Sequence, residues 1–500
     1  MIPERVLLTL DLPDEQASNQ LGEDIAAALR IADVLLLSGD LGMGKSTLAR
    51  AIIRAMAGNP ELEVPSPTFT LVQAYPTRVP IQHYDLYRLG APDELEELGF
   101  SEAIRDGAVL VEWPERAAED MPKDAVRLSL SEKGQGRTVS IDAPVDFAER
   151  LQRSLLIRRF LDDAGWQHAS RNFLVGDAST RAYESVRRSD GTAMILMNAP
   201  RRPDGPPIRD GKPYSRIAHL AESVTPFVAI AKVLRDAGFA APQIPAADLD
   251  HGLLLVENLG MQGVLDAHGI PIAERYIASA ELLARMHMHQ WPQRIEIAPD
   301  TVHVVPAYDR VAMAIETELL TDWYLPYVTG TATGDEDRAE FAHVWEQMFD
   351  LLDDAEKTLV LRDYHSPNII WREDRRGDDR VGIIDFQDAV IGPAAYDVAS
   401  LAMDARVTIS PDLEAAVVDA YCATRARLGA FDREQFETAY AIMAAQRNTK
   451  IIGIFVRLDQ RDGKPAYLKH LPRIREYLAR ALAHPRLAPL VPIYRKAGIL

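Results

Sequence analysis

The feature that most restricts the fold is a glycine-rich segment between a strand-like run and a helix-like run. Four apolar residues at 34–37 precede it, and residues 48–54 after it have helical periodicity. Strand, glycine turn and helix, in this order, are the context in which the pattern G-x-x-x-x-G-K-S/T predicts a P-loop. The residues that fit the pattern are Gly39, Asp40, Leu41, Gly42, Met43, Gly44, Lys45, Ser46 and Thr47.

The chemistry expected of this segment is phosphate binding. Glycines let neighbouring N–H groups close around phosphate oxygens at the positive end of the helix dipole. Lys45 can then reach the β- and γ-phosphates, and the Ser46 hydroxyl can ligate Mg²⁺. The segment therefore predicts a site for a nucleotide together with Mg²⁺.

Two carboxylates stand at the ends of later strands. The strand-like runs 81–87 and 108–113 carry Asp85 and Glu112 near their ends. Open α/β sheets bind ligands at the carboxyl ends of their strands, so both side chains are candidates for holding Mg²⁺ or positioning water. A hairpin over residues 126–141 is expected to close this domain.

Chain length and composition indicate how many domains to expect and which cellular compartment suits the protein. The chain has 500 residues, more than one core normally serves, so two or three domains are expected. A hydrophobic content of 47% and a charged content of 26% are typical of a soluble globular protein. Cys422 is the only cysteine, which excludes an internal disulfide and fits a reducing cytosol.

The net charge indicates which kinds of binding partner the protein can attract. A formal net charge of −19 argues against electrostatic capture of nucleic acid or of an anionic membrane. No run approaches the length of a membrane span, and the first residues lack a basic-then-apolar signal pattern. We therefore expect a cytoplasmic protein without a membrane partner, which meets RNA only through another protein.

A second set of phosphoryl-transfer residues lies late in the chain. Asp363 and Asn368 have the D-x-x-x-x-N spacing of a kinase catalytic loop, and Asp385 follows an apolar strand in the position of a metal-binding aspartate. In this arrangement Asp363 accepts the proton of the attacking hydroxyl. Asn368 and Asp385 hold Mg²⁺ against the nucleotide phosphates.

The small lobe of such a kinase should lie upstream. Residues 173–186 predict two strands joined by a turn over the ATP phosphates, with Gly176 and Ser179 in the turn. The run 253–260, which includes Glu257, predicts the hinge strand whose backbone meets adenine. No lysine stands in the intervening strand at 193–197, where kinases carry one, so a pseudokinase stays an alternative.

The first motif set resembles the TsaE family, and the P-loop, 66–69, 83–88 and 111–116 carry the resemblance. TsaE is the small P-loop ATPase of the bacterial machinery that makes threonylcarbamoyladenosine at position 37 of tRNA. The resemblance implies ATP at the P-loop with Lys45 as a catalytic residue, and proteins of the threonylcarbamoyl-transfer complex as partners that handle the tRNA. The further roles that it implies are Mg²⁺ at Ser46 and Glu112, a catalytic acidic residue at Asp85, and a switch-like residue near the γ-phosphate at Thr68.

The second set resembles the aminoglycoside phosphotransferase superfamily and, within it, the AmgK group of cell-wall sugar kinases. The matching segments are 176–181, 197–200, 361–368, 385–389 and 392–397. The resemblance implies ATP-dependent phosphorylation of the anomeric hydroxyl of N-acetylmuramate or N-acetylglucosamine. The AmgK group also carries methionine in place of the lysine, which favours activity. The resemblance makes Asp397 a structural carboxylate that braces the catalytic loop.

The predicted fold is an α/β P-loop NTPase domain at 1–145 followed by an α+β bilobal kinase-like domain at 146–500. Its small lobe is expected at about 146–260 and its large lobe at about 261–500. Helical periodicity at 148–161, without a Gly/Ser-rich linker, predicts a stiff connection. The predicted function is bifunctional: a tRNA-modification ATPase and an amino-sugar kinase of cell-wall recycling. The alternatives are a kinase for another small alcohol or an aminoglycoside, and a pseudokinase that regulates the ATPase.

Two further features are given structural interpretations. His287 and His289 are two positions apart and do not share a helix face, so a solvated helix end is predicted rather than a metal site. Arg447 and Asn448 lie on an apolar-periodic helix. A satisfied place on the helix surface is favoured for them over a contact with substrate or phosphate.

Overall fold

The computed structural model describes residues 4–91, 94–174, 181–201 and 205–500. The chain divides into two units of dense internal contact. The first comprises Met1–Asn198, Pro245–Asp248 and Leu253–Val256, and the second comprises the rest. Among the described residues, no helix combines the length and the apolar character that crossing a bilayer requires.

The elements up to Asn198 alternate between strands and helices. In chain order they are β1 (Arg5–Leu12), α1 (Glu15–Ala28), β2 (Val34–Ser38), α2 (Lys45–Ala57), β3 (Val72–Tyr75), β4 (Ile81–Asp85), α3 (Glu94–Glu97), α4 (Phe100–Asp106), β5 (Ala108–Glu112), β6 (Val126–Lys133), β7 (Gly136–Pro144), α5 (Val145–Asp163), β8 (Ser170–Leu174), β9 (Ala182–Arg187) and β10 (Ala193–Asn198).

The later elements are mainly helical. They are β11 (Pro207–Arg209), β12 (Lys212–Pro213), α6 (Tyr214–Ile217), α7 (Thr225–Asp236), β13 (Ala246–Asp248), β14 (Leu253–Glu257), α8 (Ala273–Met286), β15 (Arg294–Ala298), β16 (Thr301–Val304), α9 (Arg310–Thr317), α10 (Leu325–Thr329), α11 (Asp335–Asp350), β17 (Lys357–Val360), β18 (Ile369–Trp371), β19 (Val381–Ile383), β20 (Val390–Pro393), α12 (Ala395–Ala402), α13 (Pro411–Leu428), α14 (Arg433–Gln460), α15 (Leu471–Leu482) and α16 (Val491–Lys496).

A seven-stranded sheet forms the centre of the P-loop region, in the order β1-β7-β6-β2-β5-β4-β3. Strands β4, β5, β2 and β6 run parallel to their neighbours in this series, and the hairpin β6–β7 and the edge pair β3–β4 are antiparallel. All five residues of β5 are buried, as expected of a parallel strand covered on both faces. The carboxyl ends of β2, β5 and β4 therefore meet at one edge.

A second sheet in the same unit has the order β13-β14-β10-β9-β8. Helix α5 follows β7 without a linker, and its residues belong to two cores. Leu151 packs in the core of the P-loop sheet, whereas Ile157 and Leu161 pack with Val186 and Leu196 of the second sheet. One helix thus serves both sheets of this unit.

A buried ionic cluster joins α1, α5 and the second sheet. The Asp24 carboxylate of α1 accepts from Ser154 Oγ of α5 at 2.7 Å and from Arg171 Nη1 of β8 at 2.6 Å. Arg158 Nε of α5 donates to the same carboxylate at 3.3 Å, and Arg171 Nε donates to Glu184 of β9 at 2.7 Å. The buried charges therefore compensate one another within hydrogen-bond distance, which buried ions require.

In the second unit, two short antiparallel ribbons surround the late motifs. Strand β17 pairs with β20, and β18 pairs with β19. The loop between β17 and β18 carries Asp363 and Asn368, and the loop after β19 carries Asp385. The two pairings therefore bring the two motif segments together although 17 positions separate Asn368 from Asp385.

Candidate active sites

The P-loop backbone adopts conformations that require glycine. Gly39 has a φ of +141°, and a Cβ atom added there would lie 2.6 Å from the carbonyl oxygen of Leu130. Gly44 has a φ of +96° and is the N-cap of α2. Any larger residue at Gly39 would collide with the neighbouring backbone, so the tight turn before α2 depends on this sequence.

Lys45 is buried at the opening of the loop. Its Nζ donates to the carbonyl oxygens of Gly39 at 2.6 Å and Asp40 at 3.0 Å, and it lies 3.6 Å from the centre of the Trp113 ring. Burial lowers the pKa of Lys45, and the charge of Glu112 opposes this shift. The ammonium group is therefore held beside the N-terminus of α2, where phosphate oxygens bind.

Ser46 and Glu112, the predicted Mg²⁺ ligands, are in direct contact. Ser46 Oγ donates to Glu112 Oε2 at 2.7 Å, and His83 Nε2 lies 3.0 Å from Glu112 Oε1. A hydroxyl and a carboxylate are hard oxygen ligands of the kind that Mg²⁺ takes beside phosphate oxygens, so the pair fits the ion. His83 received no role from the sequence, although its alternation with Asp85 along one strand places both on the same face.

Asp85 lies beside Glu112 because β4 and β5 pair in parallel with these two residues in register. Its Oδ2 accepts from the hydroxyls of Ser66 and Thr68, each at 2.7 Å, and its Oδ1 accepts from the amide of Tyr87 at 3.1 Å. The structure therefore brings the predicted residues Thr68, Asp85 and Glu112 to the edge that holds the P-loop.

The kinase loop is fixed through the residue before Asp363. Arg362 has a φ of +69°, an uncommon conformation for a residue with a side chain. The buried Asp397 carboxylate accepts from the amides of Leu361 at 2.7 Å and Arg362 at 2.8 Å. Ser400 Oγ donates to the Arg362 carbonyl at 3.2 Å. Asp397 therefore makes the bracing contacts that the resemblance implies.

The two other residues of this motif set adjoin Asp363. Asn368 Nδ2 donates to the Asp363 carbonyl at 2.9 Å and lies 3.5 Å from Asp385 Oδ2. The amide of Ile384 donates to the Asn368 carbonyl at 3.0 Å, which links the two loops. The amide nitrogen of Asn368 faces Asp385, so its oxygen would have to turn towards that carboxylate for the two residues to supply the oxygen ligands that Mg²⁺ prefers.

The charge state of Asp363 suits a proton acceptor. Burial opposes its ionisation, but His365 and the cations Lys450 and Arg362 outweigh that effect and hold the pKa of Asp363 below its ordinary value. The carboxylate is therefore ionised at neutral pH. Its side chain is 43% exposed, so an acceptor hydroxyl can approach it.

A buried cluster that the sequence did not predict lies behind this loop. Glu316 of α9 is fully buried, and its carboxylate contacts the Arg362 guanidinium and the hydroxyl of Tyr308. Lys450 Nζ of α14 lies 2.8 Å from the same carboxylate. Arg362 belongs to the catalytic-loop motif, but Glu316 and Lys450 lie on other elements, so only the fold brings these residues together.

The structure describes only some of the residues that were predicted to bind ATP in the kinase-like domain. Gly176 and Ser179 lie outside the described residues. The Glu257 amide donates to the carbonyl of Gln243 at 2.8 Å, so an adenine contact at this residue would have to use its carbonyl. Met197, in the strand where kinases carry lysine, is a buried residue of β10.

Two structural interpretations from the sequence are wrong for some of their residues. His289 is exposed just after the end of its helix, as predicted. His287 is not solvated: it is 3% exposed, and its Nδ1 lies 2.9 Å from the Tyr421 hydroxyl of α13. Arg447 and Asn448 are buried rather than on the helix surface, and Arg447 Nη1 donates to the carbonyl of Met403. In both cases, packing between helices distant in sequence buries polar side chains.

Comparison with protein families assigns both parts of the chain. Residues 12–139 match the model of the threonylcarbamoyl adenosine biosynthesis protein TsaE. Residues 166–431, more than half of the chain, match the model of the phosphotransferase enzyme family. Both are ATP-using families, one of ATPases and the other of kinases.

Individual proteins are similar over the same two regions. The N-acetylmuramate/N-acetylglucosamine kinase of Caulobacter vibrioides is 36% identical over 342 residues, which are 66% of this chain and 93% of that protein. The tRNA threonylcarbamoyladenosine biosynthesis protein TsaE of Rickettsia felis is 44% identical over 107 residues, 21% of this chain and 62% of that protein. The solved ADP-bound aminoglycoside phosphotransferase APH(2'')-Ib is 14% identical with a TM-score of 0.39, over 62% of this chain and 92% of that one.

These matches confirm the predicted fold class, a P-loop domain followed by a kinase-like phosphotransferase domain. They also confirm the predicted enzyme class, which combines ATP hydrolysis with phosphoryl transfer to an alcohol. The chain belongs to the phosphotransferase enzyme family and carries a TsaE domain ahead of its phosphotransferase domain.

Proposed function

We propose that the protein is bifunctional. Its P-loop domain, residues 1–145, is the ATPase of threonylcarbamoyladenosine formation at position 37 of tRNA. Its kinase-like domain, residues 146–500, transfers phosphate from ATP to the anomeric hydroxyl of N-acetylmuramate or N-acetylglucosamine, in cell-wall recycling. The observation that carries the proposal is the presence of two separate sets of phosphoryl-transfer side chains, each assembled in hydrogen-bond contact.

At the first site, Lys45 would bind the β- and γ-phosphates of ATP, and Ser46 with Glu112 would hold Mg²⁺. The ion would supply positive charge at the phosphate oxygens. Thr68 Oγ1 donates to Asp85 Oδ2 at 2.7 Å, and this hydrogen bond would keep Thr68 beside the P-loop. The partners are proteins of the threonylcarbamoyl-transfer complex, and tRNA is met only through them. ATP and tRNA are cytoplasmic molecules, so we place the protein in the cytoplasm.

At the second site, Asp363 would orient the anomeric hydroxyl and accept its proton as that oxygen bonds to the γ-phosphorus of ATP. The bond from this phosphorus to the oxygen that bridges it to the β-phosphate breaks, and ADP leaves. Asn368 and Asp385 would hold Mg²⁺, which would neutralise charge on the transferred phosphoryl group. The ionised state of Asp363 at neutral pH and its exposed side chain support this role. The bracing of Arg362 by Asp397 fixes the carboxylate relative to the acceptor.

The kinase half is tested by incubating the protein with Mg²⁺-ATP and each amino sugar. We expect a sugar 1-phosphate from both, and a loss of more than about 1,000-fold with Asp363→Asn, because an amide cannot accept the proton. The matched control is Asp353→Asn, a surface carboxylate of the same unit. ATP binding without product from either sugar would contradict the proposal.

The ATPase half is tested in cells that depend on this chain for the tRNA modification. Lys45→Ala should remove threonylcarbamoyladenosine from tRNA and leave sugar phosphorylation unchanged, because the hydrogen bonds and the ring contact of its Nζ lie within the P-loop region. Mass spectrometry of tRNA nucleosides measures the first effect. Loss of both activities with this single change would contradict independent sites.

The absence of lysine from β10 favours a second candidate, an ATP-binding pseudokinase that regulates the ATPase. A third keeps the kinase and changes its acceptor to an aminoglycoside or another small alcohol. A panel of acceptors with the Lys45→Ala variant, which silences the first site, separates these functions. Transfer to no acceptor supports the pseudokinase, and transfer to an aminoglycoside alone supports the changed acceptor.

A further inference from the structure

A cavity of about 440 Å³ lies in the second unit and has been given no role so far. Part of its lining is the segment 215–226, which precedes and begins α7, and Gln387 and Ala389 also line it. Its charged and polar lining includes Arg201, Arg216 and Glu222. The volume is sufficient for a monosaccharide with substituents.

The segment 215–226 on the cavity is hydrogen-bonded to the two segments that carry the predicted kinase residues. The amide of Ala221 donates to Asp388 Oδ1 at 2.6 Å, three residues after Asp385. Arg362 Nη1, from the residue before Asp363, donates to the carbonyl of Ala218 at 2.7 Å. One wall of the cavity is therefore tied to both catalytic segments.

Two buried polar atoms on the lining lack partners. Gln387 is 5% exposed, and its Oε1 has no hydrogen-bond partner among the described residues. The same holds for Nε2 of His303 in β16. Unsatisfied buried polar groups are costly in a folded protein, and both of these atoms belong to residues that line the cavity.

The cations of the cavity outnumber its anions. Arg201 Nη2 lies 4.0 Å and Arg216 Nε 3.8 Å from the Glu222 carboxylate, so two guanidiniums face one acidic side chain. Burial lowers the pKa of His303 and, against the charge of Asp309, that of His219, so both imidazoles are neutral at pH 7. The lining thus carries one net positive charge, which suits a monoanion.

We propose that this cavity receives the acceptor sugar and that Arg201 and Arg216 bind the carboxylate of the lactyl ether of N-acetylmuramate. The inference rests on the proposed amino-sugar kinase. The lactyl carboxylate is the only charged group that distinguishes N-acetylmuramate from N-acetylglucosamine. With the neutral sugar, both guanidiniums stay within 4.0 Å of Glu222, and solvent can hydrate the remaining positive charge because both side chains are at least half exposed. The same cavity therefore accepts both sugars.

The test is a comparison of kcat/KM for the two sugars in the full-length protein. We expect Arg201→Gln with Arg216→Gln to lower the value for N-acetylmuramate about 10- to 100-fold, because charge-assisted hydrogen bonds are lost. The value for N-acetylglucosamine should change less than about twofold, which also reports that the variant is folded. The control is Arg209→Gln, which pairs with Glu318 outside the cavity.

A second variant should change the affinity for N-acetylmuramate in the opposite direction. Glu222→Gln removes the carboxylate that competes for the two arginines, so the KM for N-acetylmuramate should fall while that for N-acetylglucosamine does not. Equal changes for both sugars, or an unchanged ratio in the double variant, would overturn the carboxylate site. A wild-type protein that phosphorylates neither sugar would instead contradict the proposed function, so the two failures are distinguishable.

Discussion

At the scale of single residues, Glu316 contacts the arginine that precedes Asp363 in the kinase loop. Its buried carboxylate contacts Arg362 and lies 2.8 Å from Lys450. Burial alone would raise the pKa of Glu316, but the charges of Arg362 and Lys450 lower it to about 2. Because the folded-state pKa lies below the ordinary value of 4.5, the ionised group stabilises the fold above pH 4.5. That contribution is lost as the pH falls towards 2.

Replacement of Glu316 by Gln should lower the free energy of unfolding by about 3–5 kcal/mol, because two buried cations lose their counter-charge. Urea unfolding at pH 7 measures this. Sugar kinase kcat should fall more than KM rises, since the peptide that carries Asp363 is displaced. Glu340→Gln, on the exposed face of α11, is the control and should change neither value. An unchanged kcat in Glu316→Gln would show that Arg362 is positioned by Asp397 alone.

Helix α5 shows what a sequence can and cannot specify about an element. Its periodicity and the lack of a flexible linker predict a helix directly after the P-loop domain, and the structure has it at Val145–Asp163. The polar cluster around Asp24 was not predictable. Residues such as Ser154 and Arg171 have no local signal, because their partners come from other elements. Motif residues such as Ser46 and Asp363 were predictable because fixed spacing within a short loop determines their geometry.

The cluster predicts a graded response to two substitutions. Asp24→Ala leaves Arg158 and Arg171 buried without this partner and should destabilise the first unit by about 3–5 kcal/mol. Ser154→Ala removes one hydrogen bond and should cost about 1 kcal/mol. Glu149→Gln, an exposed residue of α5, serves as the control. Thermal unfolding followed by circular dichroism measures all three, and equal effects of the first two would contradict the ionic role of Asp24.

At the scale of the molecule, the boundary between the two family matches differs from the boundary between the two units of dense contact. The family matches change between residues 139 and 166, whereas the division by contacts comes at Asn198. Strands β8, β9 and β10 of the phosphotransferase match therefore share a unit with the P-loop sheet. The P-loop domain has a structural role for these strands that is separate from its ATPase chemistry.

Removal of residues 1–144 should therefore harm the kinase, although its catalytic residues remain. The truncation takes away Asp24 and exposes Leu151, so we expect a lower thermal midpoint and reduced sugar phosphorylation. Full-length Lys45→Ala, which keeps residues 1–144 and removes only the charge of the predicted phosphate-binding lysine, is the control and should retain both. A truncated kinase with the stability and activity of the whole chain would contradict a structural role for the P-loop domain.

The shared helix α5 also has a genetic consequence. Two enzymes encoded separately can be expressed at different levels and degraded at different rates, whereas here a cell makes and removes one copy of each together. Gene fission near the junction would expose the apolar side of α5 and leave Arg171 without Asp24. Separation of the two domains in descendants would thus require compensating substitutions in β8 and α5. We therefore expect the two domains to remain encoded as one chain.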